Sequence, residues 1–261
     1  MTEPSTTPLE PAAHAIADCP IVSGPQKSDR LGMAVAIDLG SQDMALAVSR
    51  ENRMPRASVV ITTAARNLIR LSKAGEKVES IAVYGSERDP TLHPEFKEIT
   101  GNLRDLRNKW YPKAKLWLVS EDPHLDDPDV RHALTIYDRF AVRMEWGTAK
   151  TFTAMTGRKS GELAQLVANL STLEHLVVQA RFVRGDADNS TDAEVRAWLK
   201  RLGELKPREV HIQNSEPKAG GPRATKKLKP IAKSRVAEIA AEVTKKIGIP
   251  AAVYAGEGVF D

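Results

Sequence analysis

Glu79-Ser80-Ile81-Ala82-Val83-Tyr84-Gly85-Ser86-Glu87-Arg88-Asp89-Pro90-Thr91-Leu92-His93-Pro94-Glu95-Phe96 is the stretch whose reading decides the fold. Its first part is a short apolar run ending at glycine, the pattern of a buried strand. Its second part, rich in acidic residues and prolines, cannot continue that strand and reads as a loop. The loop feeds a helix with Phe96, Ile99, Leu103 and Leu106 on one face. In α/β architectures ligands bind at the edge where strands hand over to loops. Gly85, Glu87, Asp89 and His93 are therefore the first candidate site residues. A carboxylate there can accept hydrogen bonds from a ligand amine. His93 can act as acid or base, or simply be a satisfied loop histidine beside Pro94.

The same unit recurs on both sides of this stretch. Upstream, MAVAIDL (33–39) is a strand, and MALAVS (44–49) reads as the second half of a hairpin with it. The segment 58–78 has helical spacing through Leu68, Ile69 and Leu71, with Gly75 as its stop. Downstream, KLWLVS (115–120), FAVRMEW (140–146), HLVVQARFV (175–183), EVHIQ (209–213) and IPAAVY (249–254) read as strands. Helices are expected over 130–139, 162–173, 193–205 and 235–248 between them. Strands alternating with helices predict a parallel sheet with right-handed crossovers, either doubly wound or curled into a partial barrel.

With 261 residues, a 41% hydrophobic share and 28% charged residues, the chain has the makings of one globular α/β domain. We expect a flexible N-terminal arm over 1–19 and a single domain over 20–261. One cysteine, Cys19, excludes an internal disulfide, and the net charge of +4 implies no general affinity for polyanions. There is no membrane-length apolar run and no basic-then-apolar leader, so the expected location is cytoplasmic. No zinc-ligand spacing and no Ser-His-Asp order is present; His124 and His132 are expected to face solvent.

Further candidates sit at the later strand ends. Ser120, Glu145 and Thr148 are positioned to line one pocket, although Glu145 paired to Arg143 or Arg181 is the competing structural reading. After 175–183, Arg184 to Asp192 forms a polar loop in which Asn189 or Ser190 is expected to cap the helix carrying Trp198. Arg181 and Asn189 would point toward the same mouth as Glu145. A basic, glycine- and proline-containing segment over 218–235 reads either as a solvated loop or as a strap able to hold phosphate.

The tail Asp89-Pro90-Thr91-Leu92-His93-Pro94-Glu95-Phe96 resembles the GxGEPTLHPEF segment of the radical S-adenosylmethionine family, with Ser86-Glu87-Arg88 replacing the small residues before it. The resemblance continues through KLWLVS, RMEWGT, ARFVRGDADNST and PREVHIQ, and covers roughly residues 21 to 255. It implies the curved (β/α)6 partial TIM barrel of that family. Three cysteines in a CxxxCxxC loop after the first strand hold a four-iron cluster in the family, and S-adenosylmethionine binds its fourth iron. The matching positions here are Ser41, Ala45 and Val48. Alanine and valine cannot coordinate iron, Ser41 and Met44 are weak substitutes, and Cys19 lies outside the loop.

The family's Gly-Glu stretch holds the amino group of S-adenosylmethionine. Asp89 matches its acid by the register of the following proline, whereas Glu87 matches by distance from the strand. Ser120, Glu145, Arg181 and Asn189 correspond to the late strand ends that contact ribose, carboxylate and adenine. Together these imply a cluster-free radical S-adenosylmethionine-like protein acting as a ligand-binding or partner subunit. S-adenosylmethionine or another small nucleotide is the implied ligand, and no cysteine-ligated [4Fe–4S] cluster or other metal is expected. The alternatives are a non-radical enzyme using S-adenosylmethionine or another nucleotide, a nucleic-acid-associated accessory protein acting through 218–235, and an iron–sulfur enzyme completed by a partner chain.

Overall fold

The structure is a computed structural model that describes residues 21–41, 54–213 and 227–254. The elements run β1 (Val22–Ser28), β2 (Gly32–Asp38), α1 (Ala57–Lys73), β3 (Ser80–Tyr84), a 3-10 turn (Pro90–Leu92), α2 (Phe96–Trp110), β4 (Lys115–Ser120) and α3 (Pro128–Leu134). They continue as β5 (Arg139–Arg143), α4 (Ala149–Thr156), α5 (Glu162–Ser171), β6 (Leu176–Arg181), β7 (Val183–Gly185) and α6 (Asp192–Leu205). The last are β8 (Glu209–Gln213), β9 (Leu228–Pro230), α7 (Lys233–Ile247) and β10 (Ala251–Tyr254).

One eight-stranded sheet has the order β1-β2-β3-β4-β5-β6-β8-β10. All its pairings from β2 to β10 are parallel, and β1 is added antiparallel at the edge. Strand order rises along the sheet without reversing, which excludes a doubly wound sheet with its central switch point. The edge strands β1 and β10 do not pair with each other. The architecture is an open, curled half barrel of the partial (β/α) type, as the family resemblance implied.

Strand alternation divides the side chains between two cores. Val35, Ile37, Ile81, Val83, Leu116, Leu118, Phe140, Val142, Val178, Val210 and Ile212 face the helices and join one large apolar cluster. The inner face carries a separate cluster of Leu31, Ala34, Ala36, Ala82, Trp117, Ala141 and Val177. Farther along the same face the residues turn polar: Arg143 on β5, Gln179 and Arg181 on β6, and Glu209, His211 and Gln213 on β8.

Several expectations need correction. The hairpin partner of β2 is β1, upstream of it, while the proposed partner at 44–49 lies outside the described residues, as does the arm at 1–19. β1, over which no strand was expected, carries Gly24-Pro25 in a bulge between Ser23 and Gln26 on this edge strand. The helix expected over 130–139 ends at Leu134. Tyr137 then turns into the core, its ring 6.1 Å from Phe96 and its hydroxyl 3.0 Å from that of Thr100. The cap of α6 is Thr191, which accepts from the Glu194 N–H, and neither Asn189 nor Ser190 takes that position. Of the segment 218–235, residues 218–226 lie outside the described residues, and the rest is not a loop: β9 pairs with β7, and α7 begins at Lys233. Among the described residues, no helix is long and apolar enough to cross a membrane.

Candidate functional site

The strand ends hold two hydrogen-bonded knots and, between the late strands, a set of buried polar side chains.

The first knot is built on Asp89. Its Oδ1 accepts from the Thr91 N–H at 3.0 Å and the Thr91 hydroxyl at 2.6 Å. Its Oδ2 accepts from the Ser120 hydroxyl at 2.6 Å and from the Glu121 and Asp122 N–H groups at 3.0 and 3.1 Å. Five donors fill about the four lone-pair positions a carboxylate offers, so Asp89 joins the β3 loop to the end of β4 and has no capacity left for a ligand amine. Ser120, 1% exposed, is used up in the same knot. Gly85 is required by close approach: a Cβ there would lie 1.8 Å from the Arg88 carbonyl oxygen. Asp38, at the end of β2, completes this edge by accepting from the Gly40 and Ser86 N–H groups at 2.8 and 3.1 Å. Beside it, burial and the Asp38 charge push the Tyr84 hydroxyl up to about 12, so Tyr84 stays neutral. Glu87 is exposed on the same loop.

Of the two readings the sequence offered for His93, the geometry matches the satisfied loop histidine. Its Nδ1 accepts from the Glu95 N–H at 3.1 Å, which places the proton on Nε2 for donation to the Pro55 carbonyl at 2.6 Å. The ring is 3% exposed, and burial lowers its pKa below the ordinary value. Both nitrogens are committed, so His93 clamps the segment before α1 onto the β3 loop. His124 and His132 are exposed, as expected.

The second knot is built on Asn189, 2% exposed. Its Oδ1 accepts from the Val183 N–H at 2.7 Å, and its Nδ2 donates to the Glu145 and Arg181 carbonyls at 2.8 and 2.9 Å. One amide therefore fixes the backbone leaving β6 against the backbone leaving β5. The Glu145 carboxylate lies 3.8 Å from the Arg143 guanidinium, the ion-pair geometry weighed for it. Thr148 caps α4 and donates to Glu194, and Ser120 turns into the first knot, so Ser120, Glu145 and Thr148 do not share one pocket. Gly85, Asp89 and Ser120 come together at one edge, and Glu145, Arg181 and Asn189 at another.

The third group was not singled out from the sequence. Gln179, His211 and Gln213 are 3%, 3% and 2% exposed. The Nε2 of Gln179, the Nδ1 of His211 and the Nε2 of Gln213 have no hydrogen-bond partner among the described residues. Leaving such an atom buried and unpaired costs about 1–3 kcal/mol. The signal was available in EVHIQ and VVQAR, whose alternate positions are polar in strands that otherwise read as buried.

No protein-family model matches the sequence, and no curated protein is similar to it at the sequence level. Solved structures do resemble it. SuiB of Streptococcus suis bound to precursor peptide SuiA matches with a TM-score of 0.54 at 14% identity, over 84% of this chain and 46% of that one. SuiB bound to S-adenosylmethionine matches with a TM-score of 0.53 at 13% identity, over 74% and 43%. The fold is that of the radical S-adenosylmethionine enzymes. Archaeal TYW1 matches with a TM-score of 0.50 at 9% identity, over 81% of this chain and 71% of that one. This chain spans less than half the length of SuiB.

The residues present do not fit the iron–sulfur cluster that this fold carries in the family. A three-thiolate site needs three cysteines, and the whole sequence has one. Of the three matching positions, Ser41 is buried, while Ala45 and Val48 lie outside the described residues and carry no donor atom. Among the described residues no group of three His, Cys, Asp or Glu side chains is arranged to hold a metal ion.

Proposed function

We propose that this chain is a cluster-free protein of the radical S-adenosylmethionine fold that acts as a ligand-binding or partner subunit without radical chemistry. The single cysteine carries this reading, because reductive cleavage of a sulfonium ligand needs an electron delivered through a thiolate-held cluster. The two knots support it from the other side. Asp89, Ser120, His93 and Asn189 spend their hydrogen bonds on the barrel's own loops, so the scaffold is maintained by residues that would otherwise be read as catalytic.

SuiB has been solved with S-adenosylmethionine and with a precursor peptide, and a nucleoside-type ligand and a peptide partner are accordingly the two classes of occupant this reading tests first. Anaerobic reconstitution with iron and sulfide, followed by metal counting and titration with S-adenosylmethionine, is the test. We expect substoichiometric iron and no 5′-deoxyadenosine under reducing conditions. A ligand at a hundred times its Kd would add about 2.7 kcal/mol of stability, visible as thermal protection. A stoichiometric [4Fe–4S] centre competent to cleave S-adenosylmethionine would overturn the reading.

A further inference from the structure

We propose that the outer edge of β10, with the uncharged flank of α7 beside it, is a docking surface for a second copy of this chain, joined by antiparallel pairing of the two β10 strands about a twofold axis at Ala252. This goes beyond the reading above and stands whether or not a ligand binds.

The backbone of β10 shows which groups are available. The Val210 N–H donates to the Pro250 carbonyl at 2.8 Å, and the parallel register runs from Ala251 opposite Val210 to Tyr254 opposite Gln213. Bonding to one parallel neighbour engages every second residue, so Pro250, Ala252 and Tyr254 face β8, and the N–H and C=O groups of Ala251 and Val253 point out of the sheet. Such an edge is a template for another strand. The opposite edge of the sheet is blunted, because β1 carries the Gly24-Pro25 bulge and the exposed Lys27. β10 has no proline, no charge and no bulge. Its Val253 is 44% exposed and, with Leu92, one of two large apolar side chains left in solvent among the described residues.

α7 narrows the choice of partner. Val236, Ile239, Ala240 and Val243 form its buried face. Arg235 lies 2.6 Å from Asp192 of α6 and also pairs with Glu238 and Glu242 on its own helix, so the charged flank of α7 is turned toward α6. By the helical period the opposite flank, on the β10 side, holds Ala237, Ala241 and Thr244, all exposed and none charged. A strongly acidic or basic partner finds no counter-charge on that flank. Two copies meet there without like charges, through side chains small enough for the helices to approach closely.

Self-pairing also closes in register. With Ala252 opposite Ala252 of the second copy, Ala251 of each chain stands opposite Val253 of the other. These are the residues whose groups point outward, so they form hydrogen-bonded pairs that exchange both bonds. The twofold axis at Ala252 is perpendicular to the joined sheet, which puts both α7 helices on one side, antiparallel and flank to flank. A stable interface buries about 1,200–2,000 Å², more than so short a strand can supply, so the α7 flanks belong to it.

Sedimentation velocity of the full chain between about 5 and 100 µM tests the assignment. A reversible dimer is expected. Val253→Lys and Ala241→Glu should each raise its Kd at least tenfold while the circular dichroism stays native, and Leu92→Lys should leave it unchanged. If Val253→Lys fails to fold, Ala241→Glu on the exposed helix flank decides. Under mild oxidation, Ala252→Cys in a Cys19→Ser background should give a covalent dimer and Val253→Cys should not, since only directly opposite residues fall within the Cα separation of about 4.4–6.8 Å that a disulfide spans. A monomer throughout, a dimer indifferent to both charge variants, a dimer equally disrupted by Leu92→Lys, or crosslinking at Val253→Cys in place of Ala252→Cys overturns the proposal.

Discussion

Replacing Asp89 by asparagine separates a structural carboxylate from a ligand-binding one. Asparagine keeps the shape but only one oxygen. Turned toward β4, that oxygen retains the Ser120, Glu121 and Asp122 donors, and the new amide group then meets the Thr91 N–H and hydroxyl, donor against donor. Two hydrogen bonds to a charged acceptor are lost, each contributing about 1.5–3 kcal/mol. Allowing for rotation of the Thr91 hydroxyl and partial solvent access, we expect a net destabilisation of about 3 kcal/mol. For a chain of this size that lowers Tm by roughly 6–12 °C. Differential scanning calorimetry of the variant beside the native chain is the assay. A Tm shift under about 2 °C for Asp89→Asn would refute the assignment of Asp89 as the tie between the loops.

Three further outcomes follow from the same geometry. Asn189→Ala strips partners from the Val183 N–H and the Glu145 and Arg181 carbonyls and should cost about 3 kcal/mol or more, read from the urea midpoint at unchanged slope. Gly85→Ala places a methyl against the Arg88 carbonyl, and denaturant unfolding should show a loss of about 1–3 kcal/mol, because backbone rather than a flexible side chain must move. His93 is held neutral with its pKa below the ordinary 6.5, so the unfolded chain takes up the proton first. The stability it contributes is complete above that value and declines as pH falls through it, by up to about 1.4 kcal/mol per unit. Urea midpoints measured between about pH 7.5 and pH 5 should therefore fall in the native chain and fall less in His93→Gln, and parallel curves would contradict this.

What could be read in the sequence divides along physical lines. EVHIQ coincides with β8 at both ends, and 162–173 and 193–205 match α5 and α6 closely, because a buried strand or an amphipathic helix writes its period locally. β7 and β9, three residues each, are too short to show a period. α4, in the threonine-rich stretch 149–156, was passed over: its residues have modest helix propensity, and its start is set by the Thr148 cap and its end by left-handed Gly157. At the site, the positions of Asp89, Ser120 and Asn189 were visible but their tasks were not. A carboxylate that accepts from residues 31–33 positions away looks, in one dimension, like one awaiting a ligand. Gln179, His211 and Gln213 were legible in principle, as polar residues at every second position of strands buried on both sides.

The Asp89 tie has a consequence for how such chains are recognised at all. An acid followed by proline and threonine can serve to fasten one loop to its neighbour, whether or not the chain turns over a substrate. The motif is a record of carpentry, and its survival in a sequence is no testimony to chemistry.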